Sequence, residues 1–132
     1  MRNVTLALIA FSLVFSAISA RSQTADGETP ATSADAPVGY TPFNADGQIE
    51  VVLKDHKFSP SEIRIAPGQR VELLVRNQDA TADEFDSTAL RVEKVIGGGS
   101  QGIVRLRALK PGQYPFMGEF HSDTAQGVVI VE

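Results

Sequence analysis

Residues Gln48–Asn77 read QIEVVLKDHKFSPSEIRIAPGQRVELLVRN, and this stretch decides the fold. Ile49, Val51 and Leu53 alternate with Glu50 and Lys54. Ile63 and Ile65 alternate with Glu62 and Arg64, and Val71, Leu73 and Val75 with Arg70, Glu72 and Arg76. Side chains of a strand point alternately to its two faces, so period-two alternation marks strands with one buried face. Pro67-Gly68 separates two of these runs: proline presets φ at the second turn position and glycine accepts positive φ at the third. Working outward, Pro111-Gly112 repeats that signal, and Asn77-Gln78-Asp79 and Gly97-Gly98-Gly99 break the chain between other apolar runs. Further strands are expected near Asp83–Ser87, Leu90–Ile96, Gly102–Arg107, Gln113–Met117 and Gly127–Val131. Short strands every ~8–12 residues with no helical window between them predict an all-β fold, a two-sheet sandwich or a barrel.

The flanking segment has a different character. Met1–Ala20, MRNVTLALIAFSLVFSAISA, has one Arg, an apolar run and small residues before Ala20. This is the layout of a secretory signal cleaved after Ala20. The rival reading, an uncleaved anchor, needs ~20 apolar residues and a basic stop-transfer cluster, and the sequence has neither. Residues 21–46 are rich in Ser, Thr, Ala, Pro, Asp and Gly, a composition that buries too little surface to offset its ordering entropy. They read as a flexible tether, with Tyr40 and Phe43 able to dock on a domain that begins at residue 47.

Composition narrows the function. The 132 residues suffice for one domain, with 12 basic against 16 acidic side chains and a formal charge of −4. A mildly acidic domain without a basic patch does not suit nucleic acid or an anionic membrane; it suits cations. There is no cysteine, which excludes disulfides, zinc–thiolate sites and iron–sulfur clusters. No nucleophile elbow, phosphate-cradling loop or H-E-x-x-H motif is present, so no hydrolase or nucleotide enzyme is indicated.

Two short stretches carry candidate chemistry. In Asp83-Glu84-Phe85-Asp86, Glu84 and Asp86 share a strand face with Phe85 opposite, and Glu93-Lys94 follows on the next strand. Phe116-Met117-Gly118-Glu119-Phe120-His121-Ser122-Asp123 gathers carboxylates, an imidazole and a thioether between aromatics. Carboxylate plus imidazole is a ligand set for divalent iron, manganese, zinc or cupric copper. The plainer readings are a solvated acidic face, an exposed loop histidine and a methionine that fills the core. His56 reads as a surface residue at a strand end. Lys94, if it points inward with Val92 and Ile96, needs a carboxylate partner, and some of these acids would then form a structural ion pair.

Val51–Gly68 resembles the opening strands of bacterial cupredoxin-like domains. Glu84–Ile96, EFDSTALRVEKVI, and Leu109–Glu132, LKPGQYPFMGEFHSDTAQGVVIVE, resemble the EfeO/FtrB-type cupredoxin proteins of bacterial iron uptake. The resemblance spans roughly residues 47–132. It implies a Greek-key β-sandwich of 7–8 strands in the periplasm, working beside an inner-membrane iron permease and meeting the membrane only through that partner. It also implies bound iron or copper, and oxidation or transfer of ferrous iron. In the same alignment the thiolate position of a blue-copper site falls on Gly118 and its first histidine on Asp83, and no Met follows His121 before Gly127. Only His121 remains, so no blue-copper centre is expected. The cysteines of EfeO-type domains fall on Phe58 and Gly118. Their acidic positions carry over onto Glu84 and Glu93, and Glu119 and His121 match the single-domain members.

The expected ligands are therefore Glu84, Glu93, Glu119 and His121, with Asp86 and Asp123 as outer candidates and Met117 as a soft one. A site of hard oxygens and one imidazole stabilises ferric over ferrous iron, and ferroxidase activity would need a second metal to accept the electron. The expected function is a metal-binding accessory protein of ferrous-iron import. The alternatives are a copper-binding protein or chaperone built on Met117 and His121, and a metal-free interaction module for a permease.

Overall fold

The computed structural model describes residues 39–132; the expected signal, and the expected tether up to residue 38, lie outside the described residues. Among the described residues nine strands form two sheets. They are β1 (Ile49–Lys54), β2 (Lys57–Ser59), β3 (Glu62–Ile65), β4 (Val71–Asn77), β5 (Asp83–Ser87), β6 (Val92–Ile96), β7 (Gln101–Leu106), β8 (Gly112–Gly118) and β9 (Gln126–Val131). A single 3-10 turn, Glu119–His121, joins β8 to the last loop. One sheet has the order β2-β1-β4-β7 and the other β3-β9-β8-β5-β6. Two pairings, β1 with β4 and β3 with β9, are parallel, and the remaining ladders are antiparallel.

The alternation decides which faces meet. Ile49, Val51 and Leu53 on β1, Val71, Leu73 and Val75 on β4, and Ile63 and Ile65 on β3 are all buried between the sheets. At the heart of the core Phe58, Phe85 and Phe116 pack together, with Phe85 stacked on Phe116 at 4.7 Å and Phe58 edge-on to both. Aromatic contacts of this kind add about 0.5–1.5 kcal/mol each beyond the area they bury. Phe85 at the centre of β5 forces its neighbours Glu84 and Asp86 onto the outer face.

Two sequence expectations change. Lys94 does point to the same side as Phe85, its pairing partner across β5 and β6. But β6 is an edge strand, so Lys94 is exposed there, and its aliphatic stem packs near Gly102. It needs no buried carboxylate. Residues 40–46, read from composition with the tether, are seated on the sandwich. The Tyr40 hydroxyl donates to the Glu132 carbonyl at 2.7 Å, the Thr41 N–H to the Arg64 carbonyl at 2.9 Å, and Phe43 packs against the core.

Candidate metal centre

The fold brings three loops to one end of the sandwich. The β1–β2 hairpin turns at Asp55-His56, whose φ angles of 51° and 55° place both in the left-handed region. Such a turn is rare without glycine, and here Asp79 of the β4–β5 loop supports it. Asp79 Oδ1 accepts the Asp55 N–H at 2.7 Å and Asp79 Oδ2 the His56 N–H at 2.9 Å. The Asp79 carboxyl is held below the usual aspartate range. The His56 N–H is the largest cause, the Asp55 N–H and the electrostatic influence of the nearby His56 and His121 rings add to it, and partial burial opposes them.

The second and third loops meet at Asp83, the first residue of β5, which is 2% exposed. Asp83 Oδ1 accepts the N–H of Glu84 at 2.8 Å and of Phe120 at 3.1 Å, and Asp83 Oδ2 lies 2.9 Å from His121 Nδ1. His121 in turn stacks on His56, with ring centroids 3.7 Å apart and planes 11° from parallel. One ligand atom from each of His56, Asp83 and His121 lies within 4.8 Å of the others. This donor set, two imidazole nitrogens with a buried carboxylate behind the His121 ring, suits a borderline cation.

It does not fit a blue-copper centre. No thiolate exists in the chain, and the space for one is filled. A Cβ on Gly118 would lie 2.7 Å from Asp83 Oδ2 and 2.8 Å from the Ala125 Cβ. The two positions that the sequence resemblance put at the thiolate and the first histidine thus face each other, and the Asp83 carboxylate occupies the gap.

A model of the cupredoxin-like domain matches residues 6–131. The chain belongs to the cupredoxin-like family. An uncharacterized protein of Rickettsia prowazekii (strain Madrid E) is 38% identical over 84 residues, covering 64% of this chain and 67% of that protein. Among solved structures, this cupredoxin-like chain is similar to auracyanin A, a "blue" copper protein of the green thermophilic photosynthetic bacterium Chloroflexus aurantiacus. That likeness has a TM-score of 0.56 and 17% identity, and covers 64% of this chain and 98% of auracyanin A. It is also similar to the metal-binding domain of the Streptococcus pneumoniae D39 Cu(I)-exporting P-type ATPase, with Cu(I). There the TM-score is 0.56 and the identity 16%, over 71% of this chain and 99% of that domain. At such identities the likeness is one of fold.

The cupredoxin-like sandwich divides the residues singled out in the sequence into two groups. Glu84 and Asp86 project from the outer face of β5, with Glu93 opposite Asp86 on one side and Met117 on the other. Glu119 lies beside Glu84. The Glu84 carboxyl is raised above the usual glutamate range, first by loss of hydration and then by the charge and hydrogen bonding of Glu119 and the charges of Glu93 and Asp86. His121 stands apart from this group, on the Asp83 side. Asp123 is exposed in the turn that follows. Met117 is also exposed, opposite Asp86, so it does not fill the core.

The partners of His121 are residues that the sequence reading set aside. His56, read as a surface residue, is at a strand end as expected, but its ring covers His121. Asp83 was read only as the position of a missing ligand. Period-two arithmetic held the signal for Asp83: a carboxylate in step with Phe85 and Ser87 on the buried face of a strand needs a partner.

Proposed function

We propose that this cupredoxin-like protein binds a single transition-metal ion, copper foremost, at the His56–Asp83–His121 end of its sandwich, and serves as an exported metal-binding accessory protein. The observation that carries the reading is the convergence of two imidazoles and one buried carboxylate within 4.8 Å. Two nitrogen donors with a carboxylate beside them favour Cu(II) over the other first-row divalent ions. The fold likeness to a "blue" copper protein and to a Cu(I)-bearing domain supports the same metal. Without a thiolate the ion would be carried rather than used for blue-copper electron transfer. Export to the periplasm is supported by the signal-like pattern of Met1–Ala20.

A second reading is favoured by the outer-face carboxylates. Glu84, Glu119, Glu93 and Asp86 make a hard oxygen-donor group suited to ferric iron, in keeping with an iron-uptake role beside an inner-membrane permease. Calorimetric titration of the full chain with Cu(II), with Zn(II), and with Fe(III)-citrate separates the two. The first reading expects tight Cu(II) binding that His121→Ala abolishes and Glu84→Gln leaves intact. Loss of iron binding in Glu84→Gln, with His121→Ala unaffected, would establish the second. Failure of the wild type to bind any of the three ions refutes both.

A further inference from the structure

Each ring of the stacked pair turns one nitrogen to a carboxylate of its own. His121 Nδ1 lies 2.9 Å from Asp83 Oδ2, and His56 Nδ1 lies 3.4 Å from Asp79 Oδ2. Both carboxylates are fixed from behind by two main-chain N–H groups, from Glu84 and Phe120 for Asp83 and from Asp55 and His56 for Asp79. Asp79 has a further anchor. Its N–H donates to Asn77 Oδ1 at 3.0 Å, and Asn77, 2% exposed, donates through Nδ2 to the Thr81 carbonyl at 2.9 Å and the Ile96 carbonyl at 3.1 Å. The line of contacts runs from a buried amide, through Asp79, to a ring on the most exposed part of the centre.

A carboxylate on one imidazole nitrogen fixes the tautomer, because that nitrogen keeps the proton and the other keeps its lone pair. It also fixes the ring's direction. For His56 the 3.4 Å contact is longer than a hydrogen bond, so Asp79 sets the ring's direction chiefly through the two amides of a left-handed turn that has no glycine and leaves the side chain 41% exposed. Without Asp79 the two turn amides lose their acceptor and the ring its only carboxylate contact among the described residues.

We propose that Asp79 is a positioning residue of the metal centre: it holds the Asp55-His56 turn and aims the His56 ring so that Nε2 is the ligand atom. Asp83 does the same for His121. The assignment rests on the metal-binding reading above. It goes beyond it by naming the nitrogen that ligates and a residue, Asp79, that touches no ion.

The test uses Cu(II) and the full chain, followed by titration and by electron paramagnetic resonance, which counts coordinated nitrogens. Wild type should show two imidazole nitrogens. Asp79→Ala should show one and bind ~10–100-fold more weakly, the usual cost of losing the group behind a ligating histidine. His56→Ala should give the same spectrum, and the double variant should bind no more weakly than His56→Ala, because Asp79 acts through His56. Asp79→Asn, which keeps an acceptor for the turn, should recover part of the loss. Two nitrogens and wild-type affinity in Asp79→Ala overturn the proposal, as does a further tenfold loss on adding Asp79→Ala to His56→Ala. A wild type that binds Cu(II) through a single nitrogen overturns this assignment alone; a wild type that takes no Cu(II) overturns the metal reading with it. Should Asp79→Ala not fold, nitrogen chemical shifts of the His56 ring in the metal-free wild type decide. A proton on Nδ1 is expected, and a proton on Nε2 refutes the assignment.

Discussion

Asp83→Ala, set against Asp83→Asn, separates the structural from the chemical role of the buried carboxylate. Alanine leaves the N–H groups of Glu84 and Phe120 without their acceptor. An unsatisfied buried donor costs about 1–3 kcal/mol. Both amides are only part-buried, so the lower half of that range applies, roughly 2–4 kcal/mol for the pair. A domain of this size loses ~4–8 °C of Tm per kcal/mol, so Asp83→Ala should melt on the order of 10–30 °C below wild type. Asparagine keeps an oxygen for both amides and should cost about 1 kcal/mol or less. Its –NH2, however, faces His121 Nδ1 and donates to it, which forces the ring proton onto Nε2 and removes that lone pair from a metal. Asp83→Asn should therefore be near wild type in urea unfolding of the metal-free protein, yet bind Cu(II) ~10–100-fold more weakly. Equal unfolding midpoints for Ala and Asn would refute the hydrogen-bond argument. Unchanged Cu(II) affinity in Asp83→Asn would refute the tautomer argument.

Three further outcomes are expected. The raised carboxyl of Glu84 favours the folded state while it is protonated; that contribution is complete below the unfolded value, ~4.3, and is lost as pH rises through the folded one. Glu84→Gln should accordingly be more stable than wild type at pH 7 and lose that advantage toward pH 4 in urea titrations, and a pH-independent difference would count against the acidic cluster. Asp79 is the opposite case: its lowered carboxyl stabilises the fold above the unfolded value and is lost only as pH falls through a lower folded one. The amide resonances of Asp55 and His56 should report a midpoint below 3.8, and one at or above it would contradict the two N–H contacts. The Cu(II)-loaded protein should show weak ligand-field bands alone, since intense blue absorption needs a thiolate and the chain has none; a strong visible band would overturn the placement of Gly118.

Much of the sandwich was legible because burial imposes a simple arithmetic. The alternation placed β1, β3 and β4, and the expected strand at Asp83–Ser87 coincides with β5. The ninth strand escaped because β2 is only Lys57–Ser59, too short to show a period, and its turn at Asp55-His56 lacks the Asn-Gly or Asp-Gly signal. The candidate centre was legible in part. His121 stood out by its neighbours in sequence, and Glu84, Glu93 and Glu119 by resemblance. His56 did not, because its partner is 65 positions later and the contact depends on how the two sheets bring a hairpin tip over the turn after β8. Asp79 was hidden for a related reason: its acceptor role depends on two left-handed residues that no local pattern announced. Pair contacts across a sandwich end are set by loop conformation, and loops carry no periodicity.

The crowding at Gly118 has an evolutionary consequence. A side chain there would collide with Asp83 and Ala125, at 2.7 and 2.8 Å, so nothing larger than glycine fits at 118 while aspartate stands at 83. Restoring a cysteine at 118 alone would push Asp83 off His121 and dismantle the present centre before a new one existed. Restoring a histidine at 83 alone would strip two amides and a ring of their acceptor. Each single step descends; only the paired change crosses. A thiolate centre could be installed on this sandwich only by changing both positions together, because the packing that seats the buried carboxylate fills the space a thiolate would use.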